Sequence, residues 1–331
     1  MKKIGILGSG TWGTALANML AKMGHKVTLW SKFENDSIDL RTTHRHKNLP
    51  GTIINDQIDF VTDIKEACLN QNFVIFATPS PYIRETAEAV KEYLNKNQIL
   101  ITVAKGIEKE TLMTMSEIIE DVLGSGYKVV ALSGPTHAEE VAVGQPTLIV
   151  SACEDEEVAK LVQHEISNDV LRVYTNNDIK GVELCGALKN IIALAAGMSD
   201  GLGYGDNAKA AIITRGLAEI SRLGFAMGCQ EATFYGLTGI GDIVVTATSL
   251  NSRNHNAGVL IGKGLTLEQT LERVGMVVEG VNALEAAKKL EKQYNVELPI
   301  IDVVYAIVKE GVDVNNAIPM LFGRKKKSEM E

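Results

Sequence analysis

An alternation along the first half of the chain narrows the fold more than any other feature. Short β-branched runs occur as "KKIGILG" (2–8), "KVTLWS" (26–31), "FVIFAT" (73–78), "ILITVAK" (99–105), "VVALSG" (129–134), "TLIVSA" (147–152) and "VLRVYTNN" (170–177). Between them lie segments with apolar residues at helical spacing, among them 12–23, "IRETAEAVKEYL" and "LMTMSEIIEDVL". Such alternation predicts βαβ units, and so a mainly parallel sheet with helices on both faces. After about Asp178 the strand-like runs nearly vanish. Helical patterns follow at "GVEL" to "AAGM", 207–228, "TLEQTLERV", "VEGVNALEAAKKLEKQY" and "IIDVVYAIVKEG". The reading is an α/β domain over 1–180 and an all-helical domain over 181–331. At roughly 100–200 residues per domain, two is the count this length favours.

Composition bounds the function. Lys and Arg total 33 against 41 Asp and Glu, a formal net charge of −8. That balance argues against a general binder of nucleic acid or acidic membranes, while leaving room for a small anionic ligand held by a few local cations. The four cysteines, Cys68, Cys153, Cys185 and Cys229, show no CxxC pair and no metal-type spacing. They read as free structural thiols, and no metal site is expected. The start "MKKIGILGSG" reads as a strand rather than a signal. No run is expected to reach the ~18 apolar residues that cross a bilayer. The expectation is therefore a soluble, cytoplasmic chain with no stable membrane insertion, ending in a solvated basic stretch, "RKKKSEME".

Gly8-Ser9-Gly10-Thr11-Trp12-Gly13 matches G-x-G-x-x-G. Alone the pattern is weak. Here it follows the first strand and opens a helix, the setting in which it cradles a dinucleotide pyrophosphate. Gly8 suits the tight turn, Gly10 the close approach of phosphate, and Gly13 the packing of helix on strand. The helix amino terminus adds free N–H groups and partial positive charge. A NAD-selective site usually has Asp or Glu at the end of the second strand; this chain has Ser31 and Lys32. A lysine there favours a 2′-phosphate, so NADP is expected, with NAD also open. A merely solvated Lys32 is the alternative.

Other polar groups gather at strand ends. "AKG" (104–106) puts Lys105 at the ligand edge of the sheet, and "SGPTHAEE" (133–140) puts Thr136 there. In the helical half, Asp242 follows a Gly-x-Gly turn. Ser252-Arg253-Asn254 sits in a loop leading to a helix around 256–262, and this donor set suits phosphate. Each could equally be an ordinary turn or capped loop. Lys189 lies in "CGALKNIIALAAGMSDG", read as helix to about Gly197, with small residues Cys185, Gly186, Ala193 and Ala196 on its face. From position alone it either snorkels to the surface or is held in a site, where desolvation would tune it for proton transfer.

The stretches "GSGTWGTALA", "AKGIE", "SGPTHAEEVA", "GALKNIIALAAGMSDGLGYGDNAKAAIITRGLAE", "GLTGIGDIVVTATSLNSRN" and "VVEG" together resemble the bacterial NAD(P)-dependent glycerol-3-phosphate dehydrogenase family. The resemblance runs from Ile4 to about Gly323, with the motifs in family order. It implies an amino-terminal Rossmann-type domain and an all-helical carboxyl-terminal domain, reduction of dihydroxyacetone phosphate to sn-glycerol 3-phosphate for phospholipid synthesis, and a homodimer. It implies Lys189 as proton donor and acceptor. Lys105, Gly134, Thr136, Asp242, Ser252, Arg253 and Asn254 are then substrate-binding. Gly8, Ser9, Gly10, Thr11, Trp12, Gly13, Lys32, Lys105, Ala138, Arg253, Val277 and Glu279 contact the cofactor, and Asn190 and Thr246 support the reacting carbon. Asp242 is expected to orient Lys189 or a substrate hydroxyl. Lys32 stands where relatives often carry Arg or His. Two competing readings are a hydroxyacid or 6-phosphogluconate type of dehydrogenase on the same fold, and a dinucleotide sensor without chemistry.

Overall fold

The computed structural model describes residues 1–326, 328 and 329, so Lys327, Met330 and Glu331 of the basic end lie outside the described residues. The strands are β1 (Lys3–Leu7), β2 (Lys26–Trp30), β3 (Asp59–Val61), β4 (Phe73–Phe76), β5 (Ile99–Thr102), β6 (Lys128–Ser133), β7 (Thr147–Ala152) and β8 (Leu171–Asn176). The helices of the first part are α1 (Thr11–Lys22), α2 (Glu34–Thr43), α3 (Ile83–Val90), α4 (Met115–Leu123), α5 (Ala138–Ala142) and α6 (Glu156–Ile166). They are followed by α7 (Ile179–Gly201), α8 (Asp206–Ala226), α9 (Glu231–Phe234), α10 (Asp242–Thr248) and α11 (Arg253–Gly262). The last are α12 (Leu267–Val274), α13 (Glu279–Tyr294), α14 (Pro299–Glu310) and α15 (Ala317–Phe322).

The eight strands form one sheet in the order β3-β2-β1-β4-β5-β6-β7-β8, parallel except where β6 meets β7. Alternate residues of each inner strand face opposite sides. Ile4, Ile6, Ile75 and Ile101 enter one core, while Leu7, Val74, Phe76 and Leu100 enter the other. A sheet buried on both faces needs the near-continuous apolar strands seen in the sequence. Only the five-residue α5 lies between β6 and β7. There the chain turns back antiparallel. The sequence reading did not find β3 or α2. The strand has three residues, and α2 buries only Ser37 and Leu40, so neither leaves a periodic signal.

Contacts divide the chain into two compact units. One is Met1–Gly186 with Cys229–Asp242, and the other is Ala187–Gly228 with Ile243–Glu331. The division thus falls six residues beyond the expected 180, and a later segment returns to the first unit. Asp178 explains why. Its carboxylate accepts from Gly181 N at 3.0 Å, capping α7, and from Gln230 N at 2.8 Å and Thr233 Oγ1 at 2.7 Å. Within the same unit, buried Glu183 accepts from Ser116 N at 2.9 Å and from its hydroxyl. Helices joined by short turns make up the second unit, with no strand among its described residues.

One expectation on membranes is corrected. The helix α7 is long and apolar enough to span a bilayer, but 94% of the relevant window is buried inside the protein. It also continues past Gly197 to Gly201. All four cysteines are free and buried, and burial pushes Cys68 and Cys229 up to about 12.

Candidate functional site

In the first unit the strand order reverses between β1 and β4, where open α/β sheets bind ligands. The glycine loop follows β1 at that point. Gly8 has φ +126°, a conformation side chains rarely adopt, and a Cβ there would lie 2.9 Å from Ala77 carbonyl atoms. A Cβ on Gly13 would lie 2.0 Å from Gly8 O, which is why α1 can rest against the loop. A Cβ on Gly10 would meet nothing within 4 Å. Gly10 is also the N-cap of α1 and supplies no side-chain cap, so the first-turn N–H groups remain available to an anion. These are the properties a pyrophosphate cradle needs. Thr14 Oγ1 donates to Ser9 O at 3.0 Å, and Asn48 Nδ2 donates to Thr11 Oγ1 at 3.1 Å, fixing the loop. Trp12 packs half-buried against the core.

Lys32 follows β2, with its ammonium 2.7 Å from Glu85 and both side chains more than half exposed. The carboxylate's hydrogen bond and charge raise the lysine's pKa. Such a pair adds little stability and is readily exchanged. Beside Lys32, Phe33 is 64% exposed, a large aromatic surface that the sequence reading passed over.

At the ends of β5 and β6, Lys105 Nζ donates to Gly134 O at 2.9 Å and pairs with Asp242 Oδ2 at 2.7 Å; Thr136 Oγ1 lies at 3.5 Å. Asp242 is fully buried, brought there by a single π-helical turn, Leu237–Gly241. Sequence reading put Lys105 and Asp242 in the site separately. Their ion pair joins positions 137 residues apart, and no local pattern announces it. Gly134 has φ +140°, and its would-be Cβ lies 3.1 Å from Ile149 Cα. Ala138 is buried as the first residue of α5.

In the second unit Lys189 is 6% exposed, and its Nζ donates to Thr246 Oγ1 at 2.6 Å. The snorkelling alternative fails, because the ammonium is buried and hydrogen-bonded. Ser252 is the N-cap of α11, its hydroxyl accepting from His255 N at 3.2 Å. Arg253 and Asn254 therefore belong to the first helical turn, where a loop was expected, and Arg253 is exposed while Asn254 is buried. Asn254 Nδ2 donates to Asn190 Oδ1 at 2.9 Å, and Gly280 N donates to Asn254 Oδ1 at 2.8 Å. This chain ties the residue after Lys189 to the start of α13, where Glu279 stands, just after half-buried Val277.

Glycines set that arrangement. Cβ atoms on Gly197 and Gly201 of α7 would lie 2.0 Å from His255 O and 2.4 Å from Val259 O. On Gly258 and Gly262 of α11 they would lie 2.1 Å from Leu194 O and 2.4 Å from Met198 O. The two helices touch backbone to backbone, which brings the start of α11 to the Asn190 turn.

A sheet unit with an open glycine cradle, followed by a helical unit carrying a buried lysine, is the build of a nicotinamide-dinucleotide oxidoreductase. Comparison with known proteins narrows the class. The family model for the NAD-dependent glycerol-3-phosphate dehydrogenase N-terminus matches residues 3–159, and that for the C-terminus matches 178–319. The chain is 54% identical to glycerol-3-phosphate dehydrogenase (NAD(P)+) 2 of Lactobacillus delbrueckii subsp. bulgaricus, over all of this chain and 99% of that protein. The crystal structure of glycerol-3-phosphate dehydrogenase from Coxiella burnetii matches with a TM-score of 0.93 at 33% identity, covering 98% of this chain and 99% of that one. D-mandelate dehydrogenase, solved with NADH, matches at a TM-score of 0.65 and 15% identity over 95% of this chain and 99% of that one, and so shares the fold alone. The chain belongs to the NAD-dependent glycerol-3-phosphate dehydrogenase family.

Proposed function

We propose that this protein reduces dihydroxyacetone phosphate to sn-glycerol 3-phosphate, reversibly, with Lys189 as the proton donor and acceptor. The observation that carries the reading is the buried Lys189 ammonium, hydrogen-bonded to Thr246 in a chain of this family. A nicotinamide dinucleotide, when bound, supplies the hydride for C2. Residues 8–13 hold its pyrophosphate through backbone N–H groups at the start of α1. Ala138, Val277 and Glu279 complete its contacts. Phe33 offers its open ring to the purine. Lys32 can exchange Glu85 for a 2′-phosphate, which favours NADP while leaving NAD usable.

Arg253, with Ser252 and Asn254, grips the substrate phosphate; a guanidinium binds it bidentately, and the α11 terminus adds its partial charge. That grip fixes C2, since a held reactant reacts far faster than a free one. Lys189 then protonates the C2 oxygen as negative charge develops. Lys105 adds a second positive charge, its position set by Asp242 and Gly134 O. Thr136 binds substrate from the same loop. The product serves phospholipid synthesis, and a homodimer is part of the reading.

Steady-state reduction of dihydroxyacetone phosphate, followed by oxidation of NADPH and NADH in turn, tests this. A panel with hydroxyacids and 6-phosphogluconate distinguishes the competing dehydrogenases. Cofactor binding without turnover on any substrate would leave only a sensor.

A further inference from the structure

The glycine crossing sets how far α11 lies from α7, but backbone-to-backbone contact is not directional. Hydrogen bonds supply the direction. One is the Asn254 bond to Asn190 described above. A second comes from the next residue, His255, which is 4% exposed. Its Nε2 lies 2.8 Å from the Oδ2 of Asp200, which stands at the far end of α7. Lys209 Nζ of α8 lies 2.8 Å from the same oxygen. Burial pushes the Asp200 carboxyl up, but hydrogen bonds from Lys209 and His255 outweigh it and hold the group below its ordinary 3.8. Asp200 is therefore an acceptor only, and the ring nitrogen donates.

Consecutive residues of α11 thus reach two points on α7, Asn190 and Asp200, that lie about 15 Å apart along the helix. Two ties so spread fix the rotation of the first turn of α11, whereas a single tie would let the turn roll about it. That turn carries Arg253 and Asn254, with Ser252 as its cap. Ser252 also depends on His255, whose N–H its hydroxyl accepts at 3.2 Å. We propose that His255 is a positioning residue: its bond to Asp200 holds the start of α11 so that Ser252, Arg253 and Asn254 meet the substrate phosphate together. The proposal rests on the reading of residues 252–254 as the phosphate grip. Hydrogen bonds to a charged group are the stronger kind, so this one can hold the turn against thermal rolling.

The test compares His255→Asn with His255→Gln in steady-state reduction of dihydroxyacetone phosphate, at saturating cofactor and well below the melting temperature. Gln carries an amide N–H as many bonds from Cβ as the histidine Nε2, and Asn carries one a bond nearer, so Gln can reach Asp200 and Asn falls short. His255→Asn should raise KM for this substrate about tenfold. Its kcat and its KM for cofactor should hardly change, because the loss is one of substrate binding. His255→Gln should bring KM back to the wild-type value. An unchanged KM in folded His255→Asn would overturn the inference. So would a lower kcat and melting temperature at unchanged KM, which would mark a purely structural bond. Equal rises in both variants would show that the ring matters and its bond does not, and would overturn it too. Should His255→Asn fail to fold, Asp200→Ala removes the bond from the α7 side and should raise KM alike; an unchanged KM there is equally fatal. If the unaltered protein fails to reduce dihydroxyacetone phosphate, the functional reading falls as well; if it succeeds and His255→Asn matches it, the inference alone falls.

Discussion

Gly258→Ala changes one methyl group and tests how packing places the site. A Cβ at Gly258 would lie 2.1 Å from Leu194 O, 2.8 Å from Met198 N and 2.9 Å from Gly197 Cα. All three are backbone atoms of α7, so no side chain can swing aside. Ordinary contact begins at 3.4 Å, so the helices must separate by about 1.3 Å at this point. Asn254 lies one turn earlier on α11, and its 2.9 Å bond to Asn190 would be stretched out of hydrogen-bond range. Asn190 adjoins Lys189, and Arg253 adjoins Asn254. A misplacement on the order of 1 Å can cost about 100-fold in rate. Overpacking itself costs about 1–3 kcal/mol, against a total of roughly 5–15 kcal/mol for a folded protein. The variant should therefore fold, keep its cofactor affinity through residues 8–13 of the other unit, and lose about 100-fold in kcat/KM. Steady-state kinetics well below the melting temperature, with cofactor binding by fluorescence, gives both readouts. Gly205→Ala is the control, since φ is −85° and a Cβ there meets nothing within 4 Å. Wild-type kinetics in Gly258→Ala would refute the claim that helix spacing sets the site.

Three further outcomes are expected. Lys189→Ala should fold and bind cofactor while losing most turnover; near-normal turnover would remove the lysine from the proton step. Arg253→Ala should raise KM sharply for the phosphorylated substrate and hardly alter activity on a non-phosphorylated analogue, and equal effects on both would show that Arg253 is no phosphate anchor. Burial pushes the Glu219 carboxyl from 4.5 up to about 7, although Ile300 and Ile301 N–H groups pull it down. Its folded pKa is raised, so the native state holds the extra proton and stability declines as pH rises from about 4.5 to 7. This group accounts for roughly 3 kcal/mol of that decline. Glu183, also pushed up to about 7, acts in the same direction. Glu219→Gln should therefore weaken the fall in melting temperature between pH 5 and pH 8 by roughly half; an undiminished fall would reject the assignment.

Lys189 shows how far the sequence alone could be read. Small neighbours on its helix face left it either snorkelling or held in a site, and the choice waited until Thr246 was seen 2.6 Å away. The glycine turn was legible, because G-x-G-x-x-G acts within a single strand–turn–helix. The partnership of Lys105 with Asp242 was not, since hydrogen bonding between residues 137 apart leaves no periodicity.

The sequence by itself determined most of the elements, β3 and α2 excepted, and a dinucleotide as the kind of ligand. Strand and helix periods, the glycine loop and the change of pattern near Asp178 are local, and local patterns survive in one dimension. Only the tertiary structure decided which cation meets which carboxylate, that Asp178 draws Cys229–Asp242 back to the first unit, and that four glycines hold α11 against α7. Those outcomes depend on distances between segments remote in the chain, which close packing fixes and residue order does not record.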